Sequence, residues 1–163
     1  LNLFQRTPRI EGLINKADII YVGGGNTKSM LAVWKEWKLD KLLFKAYNEG
    51  TVLAGVSAGA ICWFDTGITD SWASNLNYID CLGILPGSCC PHYDSEKDRR
   101  PSVHKFIEHE KIKSVYAIED GAAIHFVDDA PYKNISFFKN SKVFFVDKQN
   151  SIVQEKPQKM VSI

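Results

Sequence analysis

The sequence predicts an α/β fold built on a mostly parallel sheet, and three observations predict it. Short apolar runs at 18–22 and 51–56 stop abruptly in small residues, as strands buried on both faces do. Stretches with helical spacing of apolar residues follow them. Strand and helix then alternate, which is the rhythm of crossover connections between parallel strands. The 163 residues amount to about one domain, large enough to bury a core without disulfides.

Taken in order, Leu1 to Phe4 reads as a strand end and Pro8 to Lys16 as a helix with Ile10, Leu13 and Ile14 on one face. Asp18 to Val22 is a buried strand that stops at Gly23-Gly24-Gly25. Asn26 or Thr27 caps a helix in which Met30, Leu31, Val33, Trp34 and Trp37 alternate with Lys35, Glu36 and Lys38. A further helix, Asp40 to Asn48, ends at Gly50. Thr51 to Val56 is the next buried strand, and Ser57-Ala58-Gly59-Ala60 turns it into an apolar helix containing Ile61, Cys62, Trp63 and Phe64.

From Thr66 to Tyr93 the periodicity fades among Gly, Ser, Asn and Asp, and a long functional loop is expected. Arg100 to Lys113 is helical; Ser114 to Ile118 and Ala123 to Val127 are strands. Further strands are expected at Ile135 to Phe138, Lys142 to Asp147 and Ser151 to Gln154, the last two forming an antiparallel hairpin joined by Lys148-Gln149-Asn150. Neither a repeat nor a linker interrupts the chain, so a single domain over 1–163 is expected.

Composition narrows the function. Twenty basic residues against nineteen acidic ones leave a formal charge of +1, which is no footprint for nucleic acid or an anionic membrane. No apolar run approaches the ~20 residues of a membrane span. Cys62, Cys81, Cys89 and Cys90 form no paired Cys-x-x-Cys sets and no signal peptide precedes them, so reduced thiols in a cytoplasmic protein are expected, without a metal ion. The sequon Asn134-Ile135-Ser136 is then a chance match.

Gly55-Val56-Ser57-Ala58-Gly59 is a Gly-x-Ser-x-Gly between a strand and a helix, the context of a nucleophile elbow. A plain strand-to-helix turn with Ser57 as N-cap is the alternative. The glycines at 23–25 bring backbone amides close to a ligand; Gly-x-Gly-x-x-Gly is not matched, and an oxyanion hole from the amides of Gly25 and Ala58 is the better reading. His92, in Cys90-Pro91-His92-Tyr93-Asp94, is the preferred base; His104 and His109 read as surface residues of a helix and His125 as a core residue of a strand. Glu119 and Asp120 close a strand before Gly121 and supply the acid, with Asp70 and Asp94 as competitors. The chain order Ser, His, acid differs from that of α/β-hydrolases.

These motifs together resemble the peptidase E (aspartyl dipeptidase) family, which includes cyanophycinases, over about Ala17 to Gly121. The resemblance implies a serine peptidase with a three-layer, class I glutamine-amidotransferase-like sandwich. It assigns Ser57 as nucleophile and His92 as base, with Gly25 and Ala58 as oxyanion hole; the family's acid, a Glu directly before Gly, aligns with Asp120, which is chosen over Glu119 because a slip of one residue would turn the side chain to the other face. Arg99 or Arg100, with Asn26, would contact the substrate. Val56 and Ile61 depart from the Trp and Asn typical of the aspartyl enzymes, which argues against a strict preference for amino-terminal aspartate.

The expected ligand is therefore a small peptide, with no cofactor; a homodimer is admissible. Two alternatives are a hydrolase using Cys89 or Cys90 and a non-catalytic relative that binds a metabolite or peptide. The resemblance, and a chain opening on Leu1-Asn2 instead of Met, also lead us to expect one or two further strand-helix units, ~40–70 residues, ahead of this segment.

Overall fold

The computed structural model describes Leu3, Gln5 and residues 9–163. The expected strand end at Leu1 to Phe4 falls mainly outside the described residues. The chain divides into two compact units, Leu1–Ala60 and Ile61–Ile163. Among the described residues no helix is long and apolar enough to cross a membrane.

In the first unit, helix α1 (Ile10–Ile14) precedes strand β1 (Ile19–Val22), helices α2 (Thr27–Glu36) and α3 (Leu39–Asn48), and strand β2 (Val52–Gly55). β1 and β2 pair in parallel from Ile19↔Val52 to Val22↔Gly55, the two helices forming the crossover. Asn26 caps α2, its side chain accepting from Ser29 N at 2.9 Å. α3 ends in a Schellman arrangement: Gly50 at φ +95° donates to Tyr47 O and Thr51 N to Ala46 O, both at 3.0 Å.

The expectation that β1 and β2 are buried on both faces is corrected. Burial alternates along β1, no residue of either strand is fully buried, and Ile19, Tyr21 and Val52 are 64%, 66% and 56% exposed. These two strands pair only with each other among the described residues; Trp34, Leu43 and Ala46 of the helices are buried, and Ile20, Val22 and Leu53 of the strands are half-buried.

A short helix, α4 (Ala58–Ile61), leads into the second unit. The apolar helix expected through Phe64 ends at Ile61, and the expected long loop holds three strands instead: β3 (Phe64–Thr69), β4 (Asn77–Asp80) and β5 (Leu85–Cys90). Small and polar residues hide them from pattern reading. A Cβ at Gly67 of β3 would sit 3.0 Å from both Cys81 Sγ and Ile61 Cδ1, so the missing side chain is what lets neighbours close in.

Helix α5 (Arg99–Glu108), shorter than expected, precedes β6 (Ser114–Ile118), β7 (Ala122–Val127), β8 (Ala130–Ser136), β9 (Val143–Gln149), β10 (Ile152–Pro157) and β11 (Met160–Ser162). The six-stranded sheet has the order β10-β9-β6-β5-β3-β4, and β11-β8-β7 form a second sheet. Only β3-β5-β6 are parallel; β4, β9 and β10 join antiparallel, so the large sheet is mixed and not mostly parallel. The cause is local: β9 and β10 are joined by a two-residue turn, Asn150-Ser151, at φ +48° and +65°, which folds the chain straight back. Asp128-Asp129, at +50° and +62°, do the same between β7 and β8.

Period-two alternation sends the sheet's side chains to two cores. Cys90, Val115, Ala117 and Val146 cluster with Val103 and Ile107 of α5. Cys89 clusters with Ile61 and Phe64, against which Tyr116, Ile118 and Phe126 pack. His125, expected in the core, is exposed and meets Tyr132 edge-on, because the odd residues of β7 face outward.

Glycine geometry yields a stability prediction. A Cβ on Gly59 would lie 2.1 Å from Val22 O, a backbone clash, whereas one on Gly23 meets nothing within 4 Å. Gly59→Ala is expected to lower stability by at least about 1–3 kcal/mol in urea denaturation, and Gly23→Ala to leave the midpoint nearly unchanged.

Candidate active site

Ser57, Gly25, Ala58 and Asn26 belong to the first unit; His92, Asp120, Arg99 and Arg100 belong to the second.

Ser57 follows β2 at φ +56°, a left-handed backbone that a non-glycine residue adopts only at some cost. The turn closes on its own amides: Gly59 N donates to Val56 O and Ala60 N to Ser57 O, each at 2.9 Å. Both flanking glycines are sterically required, since a Cβ on Gly55 would lie 2.0 Å from Gly59 O and one on Gly59 2.1 Å from Val22 O. The Gly-rich segment runs beside it, and a Cβ on Gly24 would come 3.4 Å from the Ser57 Cβ. The Asn26 side chain, expected at substrate, caps α2.

In the second unit the structure brings His92 and Asp120 together: His92 Nδ1 lies 2.7 Å from Asp120 Oδ1. Each stands just beyond the carboxyl end of a strand, β5 and β6, which run in parallel with Cys90 opposite Ala117. His92 is itself left-handed, at φ +57°. Asp94, one of the competing acids, accepts from the backbone N–H of Asp120 at 2.8 Å and so holds the turn after β6. Glu119 points elsewhere and accepts from Lys142 N at 2.8 Å. Asp70 lines a cavity of about 660 Å³ together with Leu76, Ser95, Asp98 and Phe106.

Ser95 is a residue that sequence reasoning missed. Its hydroxyl hydrogen bond is the main influence holding the Asp120 carboxyl below the usual carboxylate range; partial burial opposes it and the His92 contact assists. Its position three residues after His92 was the available signal. Arg99 is buried, donating from Nε to Glu96 at 2.7 Å and from Nη1 to Ile68 O at 3.0 Å, so its guanidinium serves the fold. Arg100 is partly exposed and lies over the Tyr93 ring, 4.5 Å from its centroid.

The thiols are unsuited to nucleophilic attack. Burial pushes Cys90 up to about 12, with Arg99 only partly opposing, and burial also pushes the fully buried Cys89 well above its ordinary value. Both are thiols at neutral pH, which removes the support for a cysteine-dependent mechanism.

The model of peptidase family S51 matches residues 1–132. The chain belongs to peptidase family S51. Among relatives of this S51 chain, the uncharacterized peptidase YgaJ of Bacillus subtilis (strain 168) is 48% identical over 147 residues, covering 90% of this chain and 64% of that protein. Peptidase E of Pasteurella multocida (strain Pm70) is 31% identical over 130 residues, 74% of this chain and 56% of that one. The S51 chain therefore spans between about half and two thirds of these relatives. A 1.5 Å crystal structure of a candidate peptidase E protein from Listeria monocytogenes EGD-e superposes with a TM-score of 0.58 at 22% identity, covering 98% of this chain and 69% of that one, which places the two in one α/β fold.

Asp120 offers a direct check. Its carboxyl titration, followed by NMR, is expected to fall below the ordinary value, and Ser95→Ala to move it upward. Because the folded value is the lower one, the stabilisation Asp120 lends is complete above its unfolded value and is lost as pH falls through the folded one. Ser95→Ala should therefore diminish this acid-side dependence.

Proposed function

We propose that this chain carries the catalytic residues of a serine peptidase acting on small peptides, dipeptides included. The observation that carries the reading is the His92–Asp120 contact at the carboxyl ends of two parallel strands. In α/β folds such strand ends are where ligands and catalytic groups gather. The left-handed, glycine-flanked Ser57 turn supports the role of nucleophile elbow.

On this reading the Asp120 carboxylate accepts a hydrogen bond from His92 Nδ1–H and so presents Nε2 as the base. His92 takes the Ser57 hydroxyl proton as Oγ attacks the peptide carbonyl carbon, and the amides of Gly25 and Ala58 hold the oxyanion. The imidazolium returns that proton to the leaving amine as the C–N bond breaks, giving an acyl-enzyme. Water, deprotonated by the same imidazole, then releases the acid and restores Ser57. Arg100, whose guanidinium is partly exposed, supplies positive charge for a substrate carboxylate in competition with Glu155, to which it already donates. We extend the proposal to the fold, reading a three-layer, class I glutamine-amidotransferase-like sandwich as a single catalytic domain, a reading supported by the likeness to the Listeria protein.

The test is hydrolysis of a dipeptide library by the full-length protein. Ser57→Ala and His92→Ala are expected to lower kcat by on the order of 10⁴- to 10⁶-fold while leaving the protein folded. A fluorophosphonate should label the native protein and not Ser57→Ala. Labelling that persists in Ser57→Ala, or native protein that neither labels nor cleaves any dipeptide, would overturn the serine mechanism and favour a binding role.

A further inference from the structure

The turns that carry His92 and Asp120 are both gripped by chain beyond residue 132, where the S51 family model ends. At the acid's turn, Ser141 Oγ donates to Asp120 O at 2.7 Å and Glu119 N donates to Lys142 O at 3.0 Å. The base's turn is reached from further away. The Tyr93 hydroxyl donates to Glu155 Oε1 on β10, 62 residues along the chain. Glu155 accepts in addition from Arg100 Nη1 and pairs with His104 Nε2 at 2.7 Å, both on α5.

We propose that Glu155 is a positioning residue, which through the Tyr93 hydroxyl fixes the left-handed turn at His92 and thereby the orientation of the imidazole on Asp120. The role of that imidazole rests on the serine-peptidase reading; the positioning itself does not. Tyr93 is pinned at two ends: its N–H donates to Ile118 O at 3.1 Å, and its ring, on a residue only 2% exposed, ends at Glu155. Between them the ring packs on Phe144 and under Arg100. A phenylalanine would fill the same space, so the buried hydroxyl is the part that packing does not explain. Burial, reinforced by Glu155, also raises the Tyr93 hydroxyl well above its ordinary value and keeps it a donor. With residue 93 held at backbone and ring tip, a rotation of the adjoining His92 out of φ +57° would pull on both contacts.

Glu155 could instead serve only to tie α5 to β10 through Arg100 and His104, and Tyr93→Phe separates the two roles because it leaves those ties intact. In the full-length protein, two quantities are read: kcat and KM on a cleaved dipeptide, and the low-field proton resonance of His92 Nδ1, assigned by its loss in His92→Gln. Tyr93→Phe and Glu155→Ala are expected to lower kcat roughly 10- to 100-fold with little change in KM, and to shift or broaden the resonance. Glu155→Gln, which keeps an acceptor for Tyr93, should restore most of both. The double variant should be no worse than the worse single one. A folded Tyr93→Phe protein with wild-type kcat and an unmoved resonance would overturn the proposal, as would losses that add in the double variant. Native protein that neither cleaves nor labels at Ser57 would count against the catalytic reading alone, and the resonance in Tyr93→Phe would still decide the positioning.

Discussion

The parallel ladder between β5 and β6 is the constraint on which the rest of the second unit depends. Parallel neighbours run their carboxyl ends to the same edge, so the turns at 91–93 and 119–121 emerge side by side. Had the two strands been antiparallel, His92 and Asp120 would stand at opposite edges of the sheet. The ladder is also continued past its last paired residues by Tyr93 N to Ile118 O. Imidazole and carboxylate thus face each other across a distance set by backbone hydrogen bonds, and side-chain rotamers need only make the final adjustment.

The Ser57 turn and the His92 turn each hold a non-glycine residue in the left-handed region, at +56° and +57°. Each such residue costs of order 1–3 kcal/mol and persists only where its surroundings leave no alternative. The surroundings differ in kind. At Ser57 they are backbone packed on backbone, possible because Gly55 and Gly59 lack side chains. At His92 they are side chains: buried Pro91 and Tyr93 on either side, with a hydroxyl-to-carboxylate contact reaching across the sheet. The first kind is written in five consecutive residues, the second over more than sixty.

That difference explains what could be read from the sequence. Strands β1, β2 and β6 were legible because apolar runs end in glycine or acid, and the Ser57 turn because its requirement for small residues is local. β3 and β5 were not, since Gly67, Gly87, Ser88 and the cysteines carry no apolar alternation; their neighbours in the ladder decide their conformation. After β6 successive side chains diverge, Glu119 to Lys142 N and Asp120 to His92, a difference of direction that two adjacent acids do not reveal in the sequence. Glu155 was out of reach of sequence reasoning altogether, because Tyr93 and Glu155 meet only once β9 and β10 have been added to the sheet edge.

The interior position of β5 explains, too, why its cysteines are inert and the accessible titratable side chain stands beyond the strand end. β5 has β3 on one side and β6 on the other, and its alternate residues face two cores, Cys89 with Ile61 and Phe64, Cys90 with Val103 and Ile107. Small side chains are needed there if both layers are to close on the strand. Thiols meet that need, and the same closure that makes them fit keeps them protonated and out of contact with solvent. Two residues further on, between buried Pro91 and Tyr93, the side chain of His92 turns out of the core and becomes partly accessible. A buried central strand and an accessible imidazole are therefore consequences of one arrangement: packing selects inert residues along β5 and leaves a titratable side chain partly accessible only in the turn that follows it.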